Sequence, residues 1–208
     1  MSLELPITVE EGKASPDKYR RIIHAAIKVF AQKGFFYAKV ADVARAADVA
    51  DGTIYLYFKN KDDLLVSIFE HSMDHFIRRA HEELAKLSSL EDRLARFVEL
   101  HLESVRDFPQ LAQVLQVELR SSAKFMKEYT PSKFFEYLDF LSRIIEEGQS
   151  NGTFTQDINL TLIRRSIFGA IDELALEWVL SRRKHFDLRE AGRHLVSMIL
   201  NGIKRRAA

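Results

Sequence analysis

Apolar residues recur along most of this chain at spacings of three and four positions, which is the pattern of amphipathic helices. No stretch shows the strict alternation of apolar and polar positions that indicates a β-strand. The pattern therefore predicts an all-α protein of about nine helices. The first helix begins near Pro16 and ends at Gly34, residue types that are typical of helix starts and helix ends. A long helix runs from about Lys61 to Leu87.

Two short helices joined by a tight turn are predicted between these long ones. The buried face of the first consists of apolar residues spaced three and four apart, namely Val40, Val43, Ala44 and Ala47. The second begins near Asp51, and its Ile54 and Phe58 would face the core. Four residues are left to face water: Thr53, Tyr55, Leu56 and Tyr57. Exposed tyrosine and leucine side chains suit sugar, phosphate and thymine methyl groups, so the pattern indicates a helix-turn-helix that reads DNA.

The rest of the chain continues as predicted helices. They run from Leu90 to Phe108, from Pro109 onwards, from Pro131 to near Gly148–Gly152, from a cap at Asp157 or Asn159 to about Ser181, and from Leu188 to about Ile203. We divide the chain into a flexible arm (residues 1–15), a three-helix DNA-binding domain (residues 16–62) and a helical domain for ligand binding and dimerisation (residues 63–208). The long helix after Lys61 begins at the DNA edge and enters the second domain, so a tilt of its far end would move the DNA-reading helices.

Composition excludes several classes of protein. A chain of 208 residues forms one large or two small domains, and 47% hydrophobic residues are enough for a core. The absence of cysteine excludes disulfides and thiolate metal sites and favours a reducing compartment. No apolar run approaches the roughly 18 residues of a membrane span, and residues 1–15 lack the hydrophobic region of a signal peptide. We therefore expect a cytoplasmic protein.

The net charge of +1 conceals a strong asymmetry. From Lys13 to Lys61 there are ten Lys or Arg residues against four Asp, so the positive charge lies in the predicted DNA-binding domain. Four of these residues form a basic arm that would reach the DNA backbone or the minor groove: Lys13, Lys18, Arg20 and Arg21. The alternative is that they merely form a solvated helix start.

Several motifs at fixed spacing link the residues from Tyr19 to Leu65. They are Ala26, Phe30 and Gly34; Val43-Ala44 with Ala47, Asp48 and Val49; Gly52-Thr53-Ile54-Tyr55-Leu56-Tyr57-Phe58; and Lys61 with Leu64. In this pattern the stretch resembles the DNA-binding domain of TetR-family transcriptional regulators. The resemblance implies a base-edge position for Leu56 and phosphate contacts by Thr53, Tyr55, Tyr57 and Lys61. With the basic arm, the predicted DNA-binding set is Lys13, Arg20, Arg21, Ala41, Gly52, Thr53, Tyr55, Leu56, Tyr57 and Lys61.

Three positions depart from the family pattern. Ala38 and Ala50 stand where many members have a hydroxyl residue, and Asp48 replaces the usual glycine. Because alanine has no oxygen with which to cap a helix, we expect Asp51 to take over the cap from Ala50.

Apolar stripes on two late helices predict dimerisation. The stripe residues are Ile163, Ile167, Ile171, Leu174 and Trp178 on one helix, and Leu195, Met198, Ile199 and Gly202 on the last. In the TetR family these helices pair with their copies in a four-helix interface, and the resemblance implies the same here. The alternative is that the stripe fills the core of its own domain. Two DNA readers about 34 Å apart meet successive major-groove faces, which requires a two-fold homodimer.

The region between Phe97 and Trp178 is rich in aromatic residues and has basic residues nearby. Core packing explains most of them, but an apolar cavity with a basic mouth would suit a fatty chain that ends in phosphates. The predicted ligand-binding set is Phe97, His101, Phe108, Leu111, Leu115, Arg120, Lys124, Phe134, Tyr137, Phe168, Asp172 and Trp178. Within an otherwise apolar helix, Asp172 and Glu173 need polar partners. Arg120 is one candidate partner; alternatively Glu173 faces water and Asp172 makes a structural bond.

Three stretches carry a closer resemblance, to the FadR branch of the TetR family. They are residues 50–61, Glu118-Leu119-Arg120, and residues 167–173 with Trp178. Repressors of this branch silence fatty-acid degradation operons and are released by long-chain acyl-CoA, so the resemblance implies that effector and no cofactor. One alternative is a TetR-type repressor of an efflux or other metabolic operon that responds to a different hydrophobic molecule. Another is a lipid-binding carrier without DNA.

An enzyme is the remaining alternative. His71 and His75 lie four residues apart on one helix face and form a possible metal pair, but no third ligand is evident. The chain has no P-loop and no nucleophile-elbow motif. We therefore predict no metal site, no catalytic residues and no enzymatic activity.

Overall fold

The computed structural model describes residues 6–7, 15–122, 125, 129 and 132–204. Lys13 and Lys124, assigned above to the DNA-binding and ligand-binding sets, lie outside the described residues, as does most of the N-terminal arm. The regular structure of the described residues is helical, apart from one isolated antiparallel bridge between Phe154 and Lys204. The prediction of an all-α fold is confirmed.

The helices follow the predicted order closely. They are α1 (Pro16–Lys33), α2 (Val40–Ala46), α3 (Asp51–Tyr55), α4 (Lys61–Leu84), α5 (Leu90–Asp107), α6 (Pro109–Gln113), a π-helical turn (Val114–Glu118), α7 (Leu119–Ser121), α8 (Ser132–Ser150), α9 (Leu160–Leu180) and α10 (Leu188–Ile203). If residues 109–121 are taken as one irregular helix, the described residues contain the nine helices that the pattern predicts. None of these helices is both long and apolar enough to cross a membrane.

The chain divides into two compact units. The first comprises residues 1–75 and 107–130, and the second comprises residues 76–106 and 131–208. The sequence-based division differs, because it assigned residues 63–75 and 107–130 to the C-terminal domain, and both segments belong to the first unit. The second of these segments shows the difference most clearly. The physical reason is the apolar face of that segment, where Leu111, Ala112 and Val114 are buried. The segment packs against α1 and so belongs to the first unit.

Helix α1 forms the centre of the first unit. Ser15 caps its start by accepting a hydrogen bond from the N–H of Lys18 at 3.4 Å. Gly34 ends it with φ of +77°, a conformation that glycine adopts without a Cβ clash. The buried residues of α1 include Tyr19, Ile22, Ile23, Ala26, Ile27 and Phe30. Ile7, which lies in the arm expected to be flexible, is also buried.

In the second unit, α9 packs against α8 and α10. Gly148 of α8 lies so close to Phe154 that a Cβ at position 148 would be 2.1 Å from Cδ2 of that ring. Asn159 caps α9 by accepting the N–H of Thr161 at 2.8 Å, which decides between the two predicted caps. Asp187 caps α10 in the same way.

An ion-pair network joins α4 to α5 in the second unit. Arg96 lies 2.6 Å from Glu83 and 3.0 Å from Glu103, and Arg79 lies 3.1 Å from Glu103. Although burial alone would raise the pKa of Glu103, its hydrogen bonds from the two arginines hold that pKa below its ordinary value. A network of several partly buried charges is worth more than isolated surface pairs, so it ties these two helices together.

Candidate functional site

The turn between α2 and α3 is held in place by α1. Arg21 donates hydrogen bonds to the carbonyl oxygen of Ala47 and, at 2.7 Å, to that of Asp48. The amide of Val49 donates to the carbonyl of Ala44 at 3.0 Å and closes the turn. Asp48 has φ of +53°, a left-handed conformation that aspartate tolerates better than most residues. The aspartate at this position therefore fits the turn where the family pattern has glycine.

The side chains of α3 and the turn after it divide into an inward and an outward set, as the sequence predicts. Ile54 and Phe58 are buried, whereas Tyr55 and Leu56 are 59% and 77% exposed. The other two members of the outward set are partly exposed: Thr53 and Tyr57. A tyrosine and a leucine that face solvent side by side form the surface expected of a DNA-reading helix.

The start of α3 differs from expectation. Ala50, with φ of −67° and ψ of 147°, occupies the N-cap position, and no side chain caps the helix. The expectation that Asp51 takes over the cap is wrong, because Asp51 is already the first residue inside the helix. Gly52 is exposed, and a Cβ at this position would meet nothing within 4 Å. The backbone here is therefore open to close approach by a phosphate.

An open groove of about 430 Å³ lies between the starts of α2 and α3. Its lining residues are Ala38, Lys39, Val40, Ala41, Asp51, Tyr55 and Lys61. Three members of the predicted DNA-binding set, Ala41, Tyr55 and Lys61, thus line one groove. We call the groove together with the exposed side chains of Tyr55 and Leu56 the reading face.

Lys61 makes backbone contacts that the sequence did not reveal. Its ammonium group donates to the carbonyl oxygens of Phe35 at 2.6 Å, Phe36 at 3.2 Å and Ala38 at 3.0 Å, and lies 4.5 Å from the ring centroid of Phe35. An ammonium group has three hydrogens, and three carbonyls occupy them. The geometry does not support the predicted phosphate contact of Lys61. It makes this lysine a clamp on the turn between α1 and α2.

Both arginines of the predicted set contact protein backbone. Arg21 holds the turn after α2, as described above, and the Nε of Arg20 donates to the carbonyl of Ile7 at 3.2 Å. Both side chains are also exposed to solvent. Contact between these two arginines and DNA stays a prediction.

The turn between α1 and α2 exposes two aromatic rings that sequence analysis missed. Phe36 and Tyr37 are 81% and 77% exposed, and their ring centroids lie 5.2 Å apart. Phe35, which precedes them, is buried against Phe30. The run of three aromatic residues was the available signal, because a short turn can direct only some of them into the core.

The second unit gathers part of the predicted ligand-binding set into a cluster of rings. The centroid of Tyr137 lies 5.0 Å from that of Phe97, 5.9 Å from that of Phe134 and 6.0 Å from that of Phe168. Nδ1 of His101 is hydrogen-bonded to the hydroxyl of Tyr137 at 2.9 Å. We call these residues the aromatic cluster.

Burial keeps the two titratable side chains of the aromatic cluster, His101 and Tyr137, uncharged. Burial lowers the pKa of His101 from 6.5 to about 4, and the negative charge of Asp172 offsets part of that change. Burial, assisted by the same carboxylate, raises the pKa of Tyr137 above its usual range. Both side chains are therefore neutral at pH 7. Glu173, the neighbour of Asp172, is exposed.

The other described members of the predicted ligand-binding set lie elsewhere. Phe108 and Leu111 are buried in the first unit, and the exposed Arg120 donates to Oε1 of Gln116 at 3.3 Å. Leu115 also belongs to the first unit, on its π-helical turn. Trp178, in the second unit, lies under the ammonium group of Lys184, which is 4.0 Å from its ring centroid.

The predicted dimerisation stripe is partly wrong. Ile163, Ile167 and Ile171 are buried in their own protomer, so the alternative of a core role applies to these three. The apolar side chains that α9 and α10 expose are Leu162, Leu180 and Met198, at 60%, 59% and 72%. Two glycines on these helices have open space where a Cβ would be: Gly169 and Gly202. The four remaining predicted residues are partly exposed: Leu174, Trp178, Leu195 and Ile199.

The histidine pair of α4 has partners in the protein. Nε2 of His71 is hydrogen-bonded to the hydroxyl of Tyr19 at 2.9 Å, and the ring of His75 packs edge-on against Phe108. Among the described residues, no group of three or more potential ligands is placed to hold a metal ion.

The chain is similar to known bacterial regulatory proteins along most of its length. Residues 22–68 match the family model for bacterial regulatory proteins of the tetR family, and residues 69–202 match the model for the C-terminal region of YsiA-like proteins. The fatty acid metabolism regulator protein of Bacillus subtilis is 36% identical over 92% of this chain and 98% of its own length.

Two solved structures are similar over nearly their whole length. FadR from Bacillus subtilis in complex with stearoyl-CoA has a TM-score of 0.83 and 35% identity, over 89% of this chain and 99% of its own. The fatty acid degradation regulator FadR from Bacillus halodurans has a TM-score of 0.79 and 33% identity, over 89% of this chain and 100% of its own. These relatives are regulators. The chain belongs to the TetR family of bacterial regulatory proteins.

Proposed function

We propose that this protein is a cytoplasmic repressor that binds a palindromic operator as a homodimer, controls fatty-acid degradation and leaves DNA when long-chain acyl-CoA binds. The observation that carries the proposal is the similarity to FadR in complex with stearoyl-CoA, at 35% identity and a TM-score of 0.83 over 89% of the chain. A likeness of this extent covers both compact units and not the DNA-binding helices alone.

The reading face supports the DNA-binding half of the proposal. Exposed Tyr55 and Leu56 lie beside an open groove, in a segment where Lys and Arg outnumber Asp by six. Such a surface attracts phosphates and offers apolar contact to base edges. Because α3 has only five residues, one copy makes few contacts, and two copies on successive major-groove faces are needed for tight binding.

Exposed apolar side chains support the dimer. Met198 is 72% exposed and Leu162 is 60% exposed, while Gly169 and Gly202 would let a facing helix approach closely. A free surface of this kind is unfavourable in water, and a second copy of the same helices would cover it. The proposed interface therefore uses the outer faces of α9 and α10, in place of the buried isoleucines.

The aromatic cluster supports the ligand half of the proposal. Phe97, Phe134 and Phe168 surround Tyr137 with apolar surface that suits an acyl chain. His101 and Tyr137, both neutral at pH 7, offer hydrogen-bonding groups without the cost of burying a charge. A ligand that binds one conformation more tightly shifts the protein toward it, and α4 runs without a break from the first unit into the second.

The test begins with a duplex selected from a random library by the wild-type protein. Fluorescence anisotropy then measures its affinity as stearoyl-CoA is added, with free CoA and stearic acid as separate controls. We expect stearoyl-CoA alone to release the duplex. Unchanged affinity at saturating stearoyl-CoA refutes the proposed effector, and a failure to select any duplex refutes the DNA-binding role.

A variant pair tests the reading face. Tyr55→Ala should weaken binding to most duplexes alike, by about tenfold, because a lost phosphate contact carries no sequence information. The matched control is Phe135→Ala, which removes an exposed aromatic ring from α8 in the second unit. Equal affinities for the two variants contradict the role of Tyr55.

A further inference from the structure

Two neighbouring aromatic rings project from the turn between α1 and α2. Phe36 is 81% exposed and Tyr37 is 77% exposed, and the rings meet edge-on with centroids 5.2 Å apart. A single exposed apolar residue is ordinary. Two adjacent rings that touch each other and still face solvent form a small apolar patch, and such patches mark contact surfaces.

This turn is held rigidly by groups from distant parts of the chain. The carboxylate of Glu118 accepts the N–H of Phe35 at 2.7 Å. Lys61 donates to the carbonyls of Phe35, Phe36 and Ala38, and the amide of Ala38 donates to the carbonyl of Gly34 at 3.1 Å. A turn whose backbone is fixed from both sides loses little further backbone entropy when its side chains bind a partner. The two rings are therefore preorganised for a partner.

The patch is continuous with the reading face. Ala38 and Lys39, which follow Tyr37 directly, line the groove, and Lys61 both lines the groove and holds the turn. Because α3 has only five residues, a duplex seated on the reading face would extend past this helix toward the neighbouring turn. Aromatic faces pack on deoxyribose, and a tyrosine hydroxyl donates to phosphate oxygen.

We propose that Phe36 and Tyr37 extend the DNA interface by packing against the sugar–phosphate backbone at the border of each half-site. The inference rests on the DNA-binding part of the proposed function. Charge favours DNA over a second copy of the chain as the partner. From Lys13 to Lys61 the segment carries six more basic than acidic residues, so two such segments repel each other while a phosphate backbone is attracted.

The experiment compares Phe36→Ala/Tyr37→Ala and Tyr37→Phe with the wild-type protein and with Phe135→Ala, an exposed ring in the second unit. All are bound to the duplex selected by the wild-type protein and to an unrelated duplex. We expect the double variant to lose about tenfold in affinity for both duplexes, because backbone contacts are not sequence-specific. Its hydroxyl-radical footprint should lose protection of the sugars that border each half-site. Tyr37→Phe should lose ethylation interference at one phosphate in each half-site.

Each of the other possible results refutes either this inference or the proposed function. If the wild-type protein binds and the double variant keeps the full footprint and affinity, the inference is wrong while the proposed function stands. If the variant loses only the cooperative loading of a second dimer, and the footprint of one dimer is unchanged, the patch holds another copy of the chain and the inference is again wrong. If the wild-type protein binds no duplex, the proposed function fails first. Thermal unfolding of each variant shows that a lost footprint is not a loss of folding.

Discussion

Protonation of His101 should make this protein less stable in mild acid. Its ring is hydrogen-bonded to Tyr137 in the aromatic cluster, and burial lowers its pKa from 6.5 to about 4, against the opposing charge of Asp172. Since folding lowers this pKa, protonation favours the unfolded chain. The stabilising contribution is complete above pH 6.5 and is lost as the pH falls toward 4.

The size of the effect follows from the two pKa values. Each unit of difference corresponds to about 1.4 kcal/mol, so the full contribution is on the order of 3 kcal/mol. Between pH 7 and pH 5 only part of it is lost, and the linkage relation gives about 2 kcal/mol for this histidine. That amount is a substantial fraction of the roughly 5–15 kcal/mol that separates a typical folded domain from its unfolded state.

The assay is urea unfolding at pH 7 and pH 5, at one fixed protein concentration, for the wild-type protein and for His101→Asn. Asparagine keeps a polar group near the position of Nδ1 but does not titrate. We expect the wild-type protein to lose about 2 kcal/mol more than the variant over this range. Equal losses in the two proteins would refute the buried, neutral state of His101, whatever the absolute stability of the variant.

Two further predictions concern the dimer and the clamp. Met198→Glu places a charge on the exposed face of α10 and should yield monomers in light scattering. Ile167→Ala should instead lower the free energy of unfolding by about 2–5 kcal/mol and leave the dimer intact. The reverse pattern would contradict the assignment of the dimer interface to the outer faces of α9 and α10. Lys61→Met should lower the free energy of unfolding and leave the salt dependence of DNA binding unchanged, because the Lys61 ammonium group donates to three backbone carbonyls. If stability is unchanged and the slope of log affinity against log salt concentration falls by about one, Lys61 contacts a phosphate directly.

The sequence determined the local features of the reading face. The 3.6-residue period places Ile54 and Phe58 inward and leaves Tyr55 and Leu56 outward, and the structure has them so. The start of α10 at Leu188 was also predictable, whereas the cap expected at Asp51 was wrong. These features depend on neighbours along the chain, which a sequence displays directly.

Tertiary structure decided what covers each apolar face and which polar groups meet. Periodicity identified the stripe of Ile163, Ile167 and Ile171 but not its partner, and the stripe packs inside its own protomer. Glu118 and the amide of Phe35 meet across 83 residues of sequence, and Lys61 reaches carbonyls 23 to 26 residues away. A helical pattern defines the direction of a side chain relative to its own helix, whereas contacts of this range depend on how the helices pack, which no local pattern records.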